Sequence, residues 1–163
     1  MATTLTLLPQ FRARRAGVIV NVTSSATLAP MLLAVAYTAG KAAFQDFTGS
    51  LAHEQAEFNI CVKLVESGYR PTTRFTYKSG EHVAGLMPEA YAPLAQSAFA
   101  ATAKPGAVTK ETDGADLVWR AANDASTQPR FPAGPDAVAL VKSGAWAPGK
   151  QNVCTSWDRS VLR

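Results

Sequence analysis

Val18-Ile-Val-Asn-Val-Thr-Ser-Ser25 is a run of β-branched residues broken only by Asn21 and closed by two serines. A continuous apolar run of this length, rich in valine and isoleucine, predicts a strand covered on both faces, as in a parallel sheet. Asn59–Val65 (NICVKLV) predicts a second buried strand with Cys61 inside it. The segment between them reads as a loop from Ser24 to Ala34 containing Pro30, then a long helix from Val35 to about Phe58. Phe44, Phe47 and Leu51 fall at i, i+3 and i+7 and form one apolar stripe. Strand, helix, strand in this order implies a right-handed crossover between parallel neighbours.

Outward from this unit, Thr3 to Arg15 reads as a helix with Gly17 as its C-cap. Glu66 to Gly80 reads as a loop, marked by Gly68, Pro71 and Gly80. Pro88 to Ala103 carries short helices around Pro93, and Lys104-Pro105-Gly106 a turn. Thr112 to Asn123 is a helix with Leu117, Val118 and Ala121 inward and Trp119 in the core. Arg130 to Pro132 is a short strand, and Pro135 to Lys142 a helix with proline in its first turn. The expected division is one α/β domain over residues 1–142 and an irregular tail over 143–163. That tail holds Trp146 and Trp157, to which no role is assigned. No internal repeat is present.

The chain has 163 residues, 47% of them hydrophobic, enough for one globular core and unlike a disordered polymer. A complete doubly wound sheet of six or seven strands needs more, since each strand–helix–strand unit takes roughly 30 residues. Net charge is +4, and the densest basic cluster, Arg12, Arg14 and Arg15, has no interleaved aromatics. It reads as a solvated helix end, so no nucleic acid is expected. Cys61 and Cys154 belong to no CxxC or Cys/His cluster, which argues against a metal and for a reducing, cytoplasmic setting. Ala16 to Gly40 lacks charge over 25 residues, yet Asn21, Thr23, Ser24, Ser25, Pro30 and Gly40 interrupt it, so no membrane span is expected. The N-terminus does not read as a signal peptide.

Chemistry gathers at the start of the long helix. Tyr37 and Lys41 are four positions apart and share one face. An ammonium beside a phenol favours the phenolate, which suits proton exchange with a reacting oxygen. Ser24 ends the first strand, 13 positions before Tyr37. In open parallel sheets ligands bind beyond the carboxyl ends of strands, and Ser24 stands there, able to hydrogen-bond a carbonyl or hydroxyl. Alone, a Tyr-x-x-x-Lys pair is a weak signal that occurs by chance on exposed helices, and it reads first as a surface pair, with Ser24 as a capping serine.

Three elements in one order change this. Val18 to Ser25, Tyr37-Thr-Ala-Gly-Lys41-Ala-Ala, and Val62-Lys-Leu-Val-Glu-Ser-Gly68-Tyr-Arg-Pro-Thr72 resemble the C-terminal half of a short-chain dehydrogenase/reductase. Phe131-Pro-Ala-Gly-Pro-Asp136-Ala also resembles the region after that family's last helices. The resemblance covers about residues 1 to 142. It implies a partial Rossmann-like doubly wound parallel sheet and reversible hydride transfer between NAD or NADP and a small-molecule alcohol or ketone. By position it makes Tyr37 the general acid/base and Ser24 the group orienting the substrate oxygen. Lys41 would support Tyr37 and hold the nicotinamide ribose, and Gly68 and Thr72 would approach the nicotinamide end. Pro88 to Ala103 would be a lid over the substrate.

Departures accompany it. Ser67 replaces the family's proline, which should loosen the following loop. Gly40 replaces a common serine and costs a helix roughly 0.8–1 kcal/mol relative to alanine. The glycine-rich phosphate loop, the first four strands and the asparagine of the preceding helix have no counterpart in the 163 residues. The expectation is therefore a truncated chain that binds NAD(P) poorly and turns over little, with an exposed edge on Val18–Thr23. The alternative is a non-catalytic module assembling as a homo-oligomer through the apolar stripe of the Val35–Phe58 helix. His53 and His82 read as surface residues.

Overall fold

Eight residues of the first apolar run pair in parallel with eight of the second, from Gly17 opposite Ile60 to Ser24 opposite Ser67. The computed structural model describes residues 1–29, 31–74, 78, 86–102 and 108–143. Helix α1 (Ala2–Arg14) leads into strand β1 (Gly17–Ser24), and helix α2 (Val35–Ala56) crosses over to β2 (Ile60–Ser67). Then come α3 (Ala92–Thr102), α4 (Glu111–Asn123), β3 (Arg130–Ala133) and α5 (Pro135–Lys142). The sheet order is β1-β2-β3, all parallel, with Ser67 opposite Ala133. Ser24, Ser67 and Ala133 therefore form one row where all three strands end.

The period-2 alternation of the strands divides the core in two. Ile19, Ile60 and Val62 point to one face and pack with Leu8 and Leu51, flanked by Phe11, Phe47 and Phe58 of the α1–α2 layer. Val65, Phe131 and Ala133 point to the other and pack with Ala121, joined by Val20, Leu117 and Val118. The stripe read at Phe44, Phe47 and Leu51 is directed inward at Phe47 and Leu51, so it serves the sheet. Exposed positions of α2 mix small residues (Ala36, Ala39, Gly40, Ala43 and Ser50) with Val35, Asp46 and Glu54.

Polar side chains set the position of α2. Asn21 donates to Thr48 Oγ1 at 3.0 Å, and Thr23 donates to the Lys41 carbonyl at 3.2 Å. Both strand residues are buried, so these bonds satisfy groups that water cannot reach. Two opposite charges are buried on β2. Lys63 donates to Asp124 Oδ1 at 2.7 Å and lies 5.4 Å from the Phe131 ring centroid. Glu66 accepts from Arg130 through both oxygens, and Arg130 also reaches Gln45 on α2 at 3.3 Å.

Several expectations change. Cys61 lies on β2 but is exposed. On the same face Val18 and Val22 are 44% and 40% exposed, so β1 is buried on one face only along this length. Trp119 is 71% exposed: α4 turns Leu117, Val118 and Ala121 to the sheet and Trp119 away from it. The left-handed cap of α1 is Arg15 at φ 48°, and Gly17 already belongs to β1. The arginine cluster is not a freely solvated end. Arg12 donates to Gln55 at 2.8 Å and lies over the Phe58 ring, while Arg15 donates to the Glu57 carbonyl at 2.9 Å. His53 is half-buried. His82, Cys154, the turn at 104–106, Trp146, Trp157 and the tail beyond Ser143 lie outside the described residues.

Candidate active site

The row of strand ends is the floor of the site. Ser24 is half-buried, and its Oγ accepts the Ala26 N–H at 3.2 Å, starting a single 3₁₀ turn over Ser25–Thr27. The capping reading of this serine is thus correct as far as it goes. Accepting one bond leaves the hydroxyl proton available to a substrate oxygen.

Tyr37 stands in the first turn of α2, with Lys41 one turn on. Both are half-buried. Lys41 Nζ lies 5.8 Å from the Tyr37 ring centroid, within reach of the ring's negative face. The Thr23-to-Lys41 bond ties the end of β1 to this turn. Ser24 follows Thr23 directly, so the strand end that carries Ser24 is tied through this bond to the first turns of α2, which carry Tyr37 and Lys41. The N-terminal end of a 22-residue helix adds partial positive charge beside the phenol.

Gly68 and Thr72 leave the end of β2. Gly68 donates to the Ala133 carbonyl at 2.9 Å. A Cβ at Gly68 would sit 2.1 Å from Asp136 Oδ1 and 2.2 Å from Thr109 Oγ1, so glycine is required there by packing inside the protein. Thr72 donates its hydroxyl to Glu111, the first residue of α4. That bond holds the Glu111 carboxyl below the ordinary carboxylate range, helped by its own backbone amide and by the Arg70 charge. The loop after Ser67 is not loose. Ser67 Oγ accepts from Arg70 Nε at 3.1 Å, and Thr109 N–H donates to the Tyr69 carbonyl at 3.0 Å.

Thr109, Glu111 and Asp136 were invisible as site residues in the sequence. The only hint was Gly134-Pro135-Asp136, a turn and helix start whose carboxylate faces a loop far away in the chain. Among the described residues no group of three or more His, Cys, Asp and Glu side chains could hold a metal. No described helix is long and apolar enough to cross a membrane.

An α/β fold with parallel strands ending at a serine, and a tyrosine–lysine helix beginning beside it, defines a Rossmann-like class of protein. Residues 1–83 match the family model described as short chain dehydrogenase. Among solved structures, the chain is similar to a short-chain dehydrogenase from Streptomyces avermitilis, with 26% identity and a TM-score of 0.62. The match covers 86% of this chain and 50% of that one, so the chain spans about half the length of its solved relative. Comparison with curated proteins finds no match. The chain belongs to the short-chain dehydrogenase family, a family of oxidoreductases.

Proposed function

We propose that this chain carries the reacting-centre part of an NAD(P)-dependent oxidoreductase acting on an alcohol or ketone. The observation that carries the reading is the Lys41 ammonium over the Tyr37 ring at the junction where Ser24 ends β1. NAD(P), when bound, supplies or accepts the hydride. In the reducing direction Tyr37 gives its phenolic proton to the carbonyl oxygen as the carbon is reduced, and in the oxidising direction it takes the proton back. Ser24 donates to the same oxygen and orients it. Lys41 stabilises the phenolate left behind and would hold the nicotinamide ribose.

The fit to the cofactor is partial. Tyr37 and Lys41 suit it. Gly68 is accounted for by protein packing, and the Thr72 hydroxyl is already donated to Glu111. Among the described residues no glycine-rich turn opens a helix toward a pyrophosphate. On this reading the chain alone is expected to bind NAD(P) weakly and to turn over little. The test is NMR titration of the purified chain with NADH and NADPH, beside a turnover assay on small ketones. Resonances of Tyr37, Lys41 and Gly68 should shift, and Tyr37→Phe should lower the residual turnover by about 100-fold or more. Undiminished turnover in Tyr37→Phe would refute the assignment.

The exposed Val18 and Val22 support a second reading, a non-catalytic module completed by association. The outward face of α2 would make the homo-oligomer contact. Under that reading NADH shifts none of the three resonances, and the chain sediments as an oligomer.

A further inference from the structure

We propose that Asp136 is a positioning residue for the Gly68–Tyr69 turn, supplying through hydrogen bonds the restraint that a proline before Gly68 would have supplied covalently. The inference rests on the reading above, in which that turn faces the nicotinamide end of the cofactor.

The geometry joins three chain segments at one carboxylate. Asp136 occupies the first turn of α5, right after β3. Its Oδ2 accepts the Tyr69 N–H at 2.6 Å, and its Oδ1 accepts the hydroxyl of Thr109, which is fully buried at the entrance to α4. Thr109 Oγ1 also lies 3.1 Å from the Ala133 carbonyl, and the Thr109 N–H donates to the Tyr69 carbonyl at 3.0 Å. Tyr69 is therefore held at both its amide and its carbonyl. Gly68 is held too: its amide donates to Ala133, and its carbonyl accepts Ser67 Oγ at 3.3 Å.

The close fit explains the glycines around it. Gly68 leaves no room for a Cβ against Asp136 and Thr109. Gly134 has φ +100°, and a Cβ there would meet Thr109 Oγ1 at 1.7 Å. A carboxylate accepting from a backbone amide makes a short, charge-assisted bond, stronger than a neutral pair. Ser67 sits where proline would restrict φ. Its hydroxyl accepts from Arg70, so both sides of the turn are bonded without it.

A merely structural role would lower stability without touching the turn's local order or its ligand. The test uses the full chain with NADH as the probe. Asp136→Asn keeps the shape but turns a donor toward either the Tyr69 amide or the Thr109 hydroxyl. Thr109→Val removes the hydroxyl, and Thr109→Ser restores it. Amide hydrogen exchange at Tyr69 should quicken by about tenfold or more in Asp136→Asn and Thr109→Val, the loss expected for a hydrogen bond to a charged group. NADH affinity should fall by about fivefold or more in the same variants, with Thr109→Ser close to wild type in both measurements.

Unchanged Tyr69 exchange in Asp136→Asn overturns the proposal. So does faster exchange with unchanged NADH affinity, since the turn would then not serve the ligand. Should Asp136→Asn fail to fold, the Thr109→Val and Thr109→Ser pair decides by the same two readouts. Absence of any NADH-induced shift in the wild-type chain refutes the functional reading itself and takes the cofactor role of Asp136 with it. Either of the first two results leaves that reading standing.

Discussion

Arg130→Met should be among the most damaging single substitutions in this chain, because it leaves a carboxylate without its cation. Glu66 is 1% exposed and sits on the central strand, out of reach of bulk water. Arg130 serves both of its oxygens, with Nε on Oε2 at 3.2 Å and the second guanidinium nitrogen on Oε1. Methionine keeps much of the side-chain volume and none of the donors. Breaking a buried pair by removing one partner costs about 3–5 kcal/mol. Arg130 keeps partial contact with water at 21% exposure, so the lower half of that range applies. Against a total of roughly 5–15 kcal/mol this is a large fraction. With a urea slope of about 2 kcal/mol per molar, the midpoint should fall by about 1.5–2 M. The assay is urea unfolding followed by circular dichroism, run on wild type, Arg130→Met, Glu66→Met and the double variant. The double variant should recover most of the loss, because replacing both charges with apolar groups is often neutral or stabilising. A loss below about 1 kcal/mol in Arg130→Met, or no recovery in the double variant, would refute the argument.

A Cβ at Gly40 meets nothing within 4 Å, so Gly40→Ala should stabilise α2 by about 0.8–1 kcal/mol. A scanning melt should then rise by about 2–4 °C, and a fall would contradict the open geometry. Hydrogen bonds from Lys63 and Ser126 draw the Asp124 carboxyl from 3.8 down to about 2. A lowered acid contributes stability above its unfolded value, lost as pH falls from 3.8 toward 2. Urea midpoints against pH should show that loss in wild type and a shallower one in Lys63→Met; parallel curves would dissociate Asp124 from it. Phe131→Ala, at the centre of the second core, should cost about 3–5 kcal/mol. Trp119→Ser, on the exposed side of α4, should stay within about 0.5 kcal/mol, and the reverse ranking in urea would show that the two aromatics have been misplaced.

The β-branched runs at Val18–Thr23 and Asn59–Val65 were legible as strands from their residue types, but the covering on both faces that they suggested holds along most of β2 and not on β1, where Val18 and Val22 are exposed. The long helix was legible from Phe44, Phe47 and Leu51; Ser24, Tyr37 and Lys41 stood out only through the family resemblance of the segments around them. Cys61 and Trp119 were misplaced for one shared reason: apolarity predicts burial only where some element covers the position, and a linear string does not say how far a helix layer extends. Asp136 and Thr109 escaped notice because their partner, the Gly68–Tyr69 turn, is 67 positions from Asp136 and meets it only through the sheet. Ser67 was expected to slacken that turn, since hydrogen bonds arriving from distant segments leave no local trace in sequence.

Lys63 and Glu66 lie on opposite faces of β2, each matched to one counter-ion on one side of the sheet. Slipping β2 by a single residue would exchange its faces. The ammonium would then enter the layer of Arg130, and the carboxylate that of Asp124, each without compensation. The two ion pairs contribute little net stability over apolar residues, yet they penalise every odd-numbered slip at once. Both charges are matched in one register alone of these two, so they add a second constraint on strand alignment beside the one the apolar pattern sets.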